Sequence, residues 1–129
     1  MANRDAFDAG MVVRREVLGD EYVANNMNNA TDFTMPMQDL TTRYCWGEIW
    51  GRPGLSRPIR SLINIAMISA LNRPHELRAH IRGALRNGCT STDIQEVLLQ
   101  VAVYCGIPAG MDGFRIAQEV LNEADPAKD

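Results

Sequence analysis

Between Ser56 and Asn72 the chain reads Arg-Pro-Ile-Arg-Ser-Leu-Ile-Asn-Ile-Ala-Met-Ile-Ser-Ala-Leu. From Ile59 to Leu71, nine positions are apolar: Ile59, Leu62, Ile63, Ile65, Ala66, Met67, Ile68, Ala70 and Leu71. Ser56 is an N-cap residue, and Pro58 falls in the first turn, where its missing N–H costs nothing. The segment therefore reads as a helix. One that is apolar on nearly all sides is expected to be buried on nearly all sides. In a chain of 129 residues, that much apolar surface points to association with further copies as well as to a core.

The rest of the chain is punctuated in the same idiom. Asp5 to Leu18 places Phe7, Met11, Val13 and Val17 at helical spacing, with Gly19 as its stop. A shorter helix is expected over Glu21–Asn29. A third starts at a Thr31 or Asp32 cap, with Pro36 in its first turn, and runs to about Ile49. Trp50-Gly-Arg-Pro-Gly-Leu breaks the chain. Pro74 opens a helix that Asn87-Gly88 closes. Thr90 or Ser91 caps the next, with Asp93 and Glu96 near its positive end and a stripe of Ile94, Val97, Leu98, Val101 and Ala102. After a Cys105-Gly-Ile-Pro hinge, a last helix runs from about Ala109 to Asn122. No alternating partner supports a strand. The fold class is all-α, a compact single domain of six to seven helices over residues 1–129, with a core of about 5–122 and a frayed tail over 123–129.

Composition excludes several function classes. A net charge of −3, with mixed signs along the chain, gives no basic footprint for nucleic acid. No apolar run reaches the length of a membrane span, and the N-terminus lacks a signal-like stretch, so cytoplasmic residence is expected. Cys45, Cys89 and Cys105 form no C-x-x-C pair, which argues against a disulfide scaffold, a zinc ribbon and dithiol redox chemistry. Two histidines, His75 and His80, cannot build a histidine-rich metal cage, and no glycine-rich phosphate loop is present.

Several strings in order carry a resemblance: Asp8-Ala-Gly-Met-Val-Val-Arg-Arg, Asn29-Ala-Thr-Asp-Phe-Thr, Arg43-Tyr-Cys-Trp-Gly-Glu-Ile-Trp, Arg52-Pro-Gly-Leu-Ser-Arg-Pro-Ile-Arg-Ser-Leu, Glu76-Leu-Arg-Ala-His-Ile-Arg-Gly-Ala-Leu-Arg-Asn-Gly and Val103-Tyr-Cys-Gly-Ile-Pro-Ala. Over roughly residues 5 to 121 the chain resembles the carboxymuconolactone decarboxylase family, within the alkylhydroperoxidase-like superfamily. Superfamily members with thiol chemistry carry two cysteines where Arg73 and Glu76 stand here, so a thiol peroxidase is disfavoured and His80 is what remains of that pattern. The resemblance implies an all-α fold, a homo-oligomer (trimer or hexamer), and cofactor-independent decarboxylation of 4-carboxymuconolactone to an enol-lactone in aromatic degradation. Gly110-Met111-Asp112 departs from the family pattern. It motivates an alternative, a related lactone or keto acid. A non-catalytic metabolite-binding oligomer is a further alternative.

The implied chemistry assigns tasks to residue types. Loss of carbon dioxide leaves a carbanion conjugated to the lactone carbonyl, so the substrate provides the electron sink that other decarboxylases take from a cofactor. The protein must hold carboxylates, steady the dienolate oxygen and deliver a proton. Arg57, Arg60 and Arg73 are the forked donors for a lactone dicarboxylate, with Arg60 favoured and Arg57 also readable as a cap-region charge. His80 is the natural proton donor. Glu76, one turn earlier, orients it or raises its pKa. Glu48 is the rival acid, provided an apolar site shared with Trp46 and Trp50 raises its pKa. Trp46 and Tyr104 either line the pocket or pack. No metal ligand set is expected. Arg14 and Arg15 read as surface or interface charges.

Overall fold

The computed structural model describes residues 2–128, with side chains from Asp5 onward. Among these residues there are seven α-helices and no strand. They are α1 (Ala2–Leu18), α2 (Asp20–Asn28), α3 (Met35–Leu40), α4 (Arg57–Leu71), α5 (Pro74–Arg86), α6 (Ser91–Cys105) and α7 (Ile107–Leu121), with a π-helical segment, Thr41–Ile49, continuing α3. None is long and apolar enough to cross a membrane. Contacts group the chain into two compact units, one through Leu55 and one from Ser56 to Lys128.

In the first unit, the helix expected from Thr31 or Asp32 begins at Met35. Thr31 and Thr34 instead close a turn on themselves: the Thr31 N–H donates to Thr34 Oγ1 at 2.8 Å, and the Thr34 N–H to Thr31 Oγ1 at 3.3 Å. Side-chain oxygens that bond locally in this way compete with helix formation. From Thr41 the ladder widens, and Trp50 N–H donates to Cys45 O at 3.0 Å, five residues back. Side chains enter this stretch: Thr42 Oγ1 donates to Gln38 O at 2.7 Å, and Arg14 of α1 donates to Thr42 Oγ1 at 3.1 Å and Gln38 Oε1 at 2.8 Å. Side chains inserted into a helical ladder are a recognised cause of its distortion. α1 packs along the segment through glycine. A Cβ on Gly10 would lie 2.0 Å from Thr42 O, and one on Gly47 would lie 2.6 Å from Ala6 O.

The second unit is built around Ile65, Leu77, Ile81, Ala84, Ile94, Leu98, Ile116 and Val120. Both ends of α5 and the start of α6 fall where the sequence punctuation puts them. Asn72 takes a left-handed conformation (φ 62°), and Arg73 N–H returns to Ile68 O at 3.2 Å. Past α5, Gly88 N–H meets Leu85 O at 3.1 Å and Cys89 N–H meets Ala84 O at 2.9 Å, the paired bonds of a Schellman terminus. Thr90 and Asp93 form a reciprocal capping box at the start of α6. The expected hinge shrinks to one residue, Gly106 (φ 111°), and α7 begins at Ile107 rather than Ala109. Close α6–α7 packing needs glycine too: a Cβ on Gly110 would come within 2.5 Å of Ala102 Cβ.

Two expectations are corrected in this unit. α4 is not buried all round. Ser61, Ile65 and Ser69 face the core, whereas Ile59, Ile63, Met67 and Leu71 are 40–64% exposed. The tail does not fray through Lys128. Arg82 Nε donates to Glu123 Oε1 at 2.9 Å, Arg86 Nε to Ala127 O at 3.0 Å, and Arg86 Nη2 to Lys128 O at 2.9 Å. Asp129 lies outside the described residues.

Candidate active site

In the second unit, α4 and α5 run antiparallel, joined by the Asn72 turn. Asn87 Nδ2 donates to Ser61 Oγ at 2.9 Å, which fixes their register. That register brings His80 level with Ile68 on α4. At the helical rise of about 1.5 Å per residue, Arg60 sits about 12 Å further along the α4 axis. Arg57 and Arg60 are one turn apart and partly buried, in a first turn without an acidic residue. Arg73, the residue before α5, is exposed, and its Nη1 donates to Leu71 O at 3.1 Å, capping the end of α4.

His80 is partly buried, and desolvation lowers its pKa from the ordinary 6.5 to about 4. Burial disfavours the charged imidazolium, so the ring is neutral at pH 7. Glu76 stands one turn away in the first turn of α5, but it is exposed. The shift at His80 comes from burial and runs downward, opposite to the rise expected from that carboxylate. His75 is exposed.

A groove of about 350 Å³ lies between α4 and α6, lined by Leu62, Ile63, Ala66, Val97 and Val101, with Gln100, Tyr104 and Cys105. Tyr104 is 81% exposed at this groove. A second cavity of about 310 Å³ lies between α6 and α7. Neither is lined by a charged side chain or by His80, so neither offers a dicarboxylate the partners it needs when it leaves water. Among the described residues, no three His, Cys, Asp or Glu side chains converge as metal ligands would.

The remaining sequence candidates lie in the first unit. Trp46 and Trp50 are both buried and stack with ring centroids 4.8 Å apart, 29° from parallel. Trp46 therefore packs a core. Glu48, between them in sequence, is exposed, so the apolar surroundings expected to make it an acid are not present in this unit.

Arg14, expected as a surface or interface charge, is buried, at 4% exposure. Its guanidinium bonds to Thr42, Gln38 and, at 3.7 Å, Met27 Sδ, all neutral groups. Desolvation pulls its pKa down, while Tyr22 and Cys45 pull the other way.

Comparison with known proteins agrees with this architecture. Residues 36–119 match the model of the carboxymuconolactone decarboxylase family. The chain is 45% identical over 121 residues to nitrosuccinic acid decarboxylase npaB of Metarhizium robertsii, covering 94% of this chain and 85% of the relative. It is 39% identical over 123 residues to 4-carboxymuconolactone decarboxylase of Acinetobacter baylyi, covering 95% and 92%. A 4-carboxymuconolactone decarboxylase sequence of Pseudomonas putida is 40% identical over 48 residues, its full length but 37% of this chain. With the family match spanning α3 to α7 and two relatives aligned over nearly their whole length, the chain belongs to the carboxymuconolactone decarboxylase family.

Proposed function

We propose that this protein is a carboxy-lyase that works without a cofactor and decarboxylates 4-carboxymuconolactone to its enol-lactone. The observation that carries the reading is the near full-length similarity to two proteins named as decarboxylases. The bond to the departing carboxylate breaks, and its electron pair moves through the ring double bond onto the oxygen of the lactone carbonyl. The ring carbon next to the carbonyl then takes a proton, and carbon dioxide leaves.

Arg57 and Arg60 hold the carboxylates by charge-assisted hydrogen bonds. His80 delivers the proton. In the free protein it is neutral, and a dianionic substrate changes that: nearby negative charge favours the imidazolium. Substrate and proton are therefore taken up together, and the proton gained on binding is the one transferred to carbon. Glu76, exposed one turn away, completes the polar rim.

The working form is a homo-oligomer. Ile59, Ile63, Met67 and Leu71 make an i, i+4 stripe on α4, and Ile63 shares a groove with Tyr104, 81% exposed. A contiguous apolar face of this kind marks a protein–protein contact, and a second copy of the chain is the occupant proposed.

The test mixes purified protein with freshly generated lactone and follows loss of its ultraviolet absorbance together with carbon dioxide release. Acceleration over the spontaneous rate is expected. No acceleration by a folded protein removes the reading. Nitrosuccinate is the second substrate to assay, because the relative named for it shares 45% identity.

A further inference from the structure

An arginine presents its N–H donors in a planar fork, and Nε and Nη2 share one edge that matches the oxygens of a carboxylate. Two arginines of this chain use that edge in this way. Arg82 Nε and Nη2 donate to the two oxygens of Glu123, and Arg43 Nε and Nη2 both donate to Asp39 Oδ2.

Arg14 keeps the same edge in the interior of the first unit. Its Nη2 donates to an amide oxygen, Gln38 Oε1, at 2.8 Å, and its buried Nε bonds no group. Nη1 is taken by Thr42 Oγ1 and the Met27 thioether. The residue is 4% exposed, yet each group bonded to it is neutral. A guanidinium buried in this way has lost its hydration, and no opposite charge replaces it. The ionisable groups that act on it are a phenol and a thiol, Tyr22 and Cys45. Burial pushes the Cys45 thiol up, away from the thiolate that could serve as counter-ion.

The surroundings of the edge divide into a fixed wall and a movable one. Thr42 is fully buried and tied down, since its hydroxyl donates to Gln38 O while accepting from Arg14. Met27 and Gln38 are only half-buried, and both side chains are unbranched. Gln38 lies on α3, none of whose six residues is buried. Its amide can therefore swing outward without opening a core.

We propose that Arg14 is the receptor for one carboxylate of a small organic acid, which displaces the Gln38 amide and takes Nε and Nη2 together. A carboxylate fits in both shape and charge: two oxygens meet two donors, and one negative charge meets one positive. A phosphate dianion would bring a second charge that no group bonded to Arg14 neutralises.

Both tryptophans of the chain, Trp46 and Trp50, lie in this unit on the segment that carries Thr42, so their emission reports on the site. The full chain is titrated with sodium acetate and, separately, with sodium succinate, at an ionic strength held constant with sodium chloride. Tryptophan emission and melting temperature are followed. A saturable change in emission is expected, with a melting temperature that rises with carboxylate. Arg14→Lys keeps the charge but loses the edge, and should weaken binding about tenfold or more. Gln38→Ala removes the group that the acid displaces, and should tighten binding about threefold. A merely structural Arg14 predicts no such gain, and Gln38→Ala decides the matter if the lysine variant does not fold. A response indistinguishable from that to chloride overturns the site. So does saturable binding that either folded variant leaves unchanged. Kinetics with the lactone then name the source of the carboxylate. A KM raised in Arg14→Lys at unchanged kcat assigns it to the substrate, and an unchanged KM assigns it to a separate acid. Because binding is read without turnover, the site stands or falls apart from the decarboxylase reading.

Discussion

Gly10 of α1 lies directly against the carbonyl oxygen of Thr42 in the π-helical segment, so close that a Cβ there would stand 2.0 Å from that oxygen. Both atoms that would collide belong to rigid backbone or are bonded directly to it, so neither can swing aside. Gly10→Ala is expected to cost about 3 kcal/mol or more, at the upper end of overpacking effects. Gly54→Ala is the control, because a Cβ there meets nothing within 4 Å. Urea denaturation of the two variants checks this, and a Gly10→Ala midpoint equal to that of the control would show that α1 does not approach so closely.

Burial of His80 makes stability depend on pH. Its folded pKa, about 4, lies below the ordinary 6.5. Between those values the unfolded chain binds the proton and the folded chain resists it, so stability is complete above pH 6.5 and is lost as pH falls toward 4. The gap is worth about 3 kcal/mol. A His80→Gln variant should lack this component. Denaturation midpoints of both proteins from pH 7 to pH 4 measure it, and parallel curves would contradict it.

With His80 as the proposed proton donor, the pH dependence of catalysis follows from the same burial. Because the acid form of His80 is scarce in the free protein above pH 4, kcat/KM is expected to fall about tenfold per pH unit through the neutral range. kcat should hold to higher pH, since bound substrate raises the pKa. A kcat/KM that stays level from pH 5 to 8 would assign the proton to another group, and His80→Gln would then retain its rate.

The α4 stripe gives a prediction about assembly. Met67, half exposed in the single chain, is expected to be covered in the oligomer. Met67→Glu buries an unpaired charge there, and the assembly should shift toward smaller species. Light scattering coupled to size exclusion reads the change. A wild-type protein that runs as a monomer at every concentration would rule out the proposed contact.

The second unit was legible in the sequence because its signals are local. Pro74, Asn87-Gly88 and the Thr90/Asp93 box each act within a few residues, and each marks a boundary within a residue or two of the observed one. The first unit was less so. The burial of Arg14 and the π-helical winding depend on contacts between α1 and a segment about thirty residues later, which no local pattern encodes. Composition correctly gave the apolarity of α4, but not which side meets solvent in one copy. As for the site, sequence spacing put Glu76 and His80 one turn apart, yet only packing could reveal that one is exposed while the other is desolvated to the neutral form. Trp46 shows the converse limit, since spacing announced the stack with Trp50 but left open whether it faces a ligand or a core.

The arginines of α5 add an order in time. Arg78 pairs with Glu119, Arg82 with Glu123, and Arg86 with the carbonyl of Ala127, each partner 41 residues further along the chain. The repeated offset means that α5 lies parallel to α7 and the segment after it, like the two sides of a zip. During synthesis, α5 emerges from the ribosome long before its second side exists. Its three cations must stay solvated until residues 119–127 are available, so this unit can close its surface only after that distant segment has emerged.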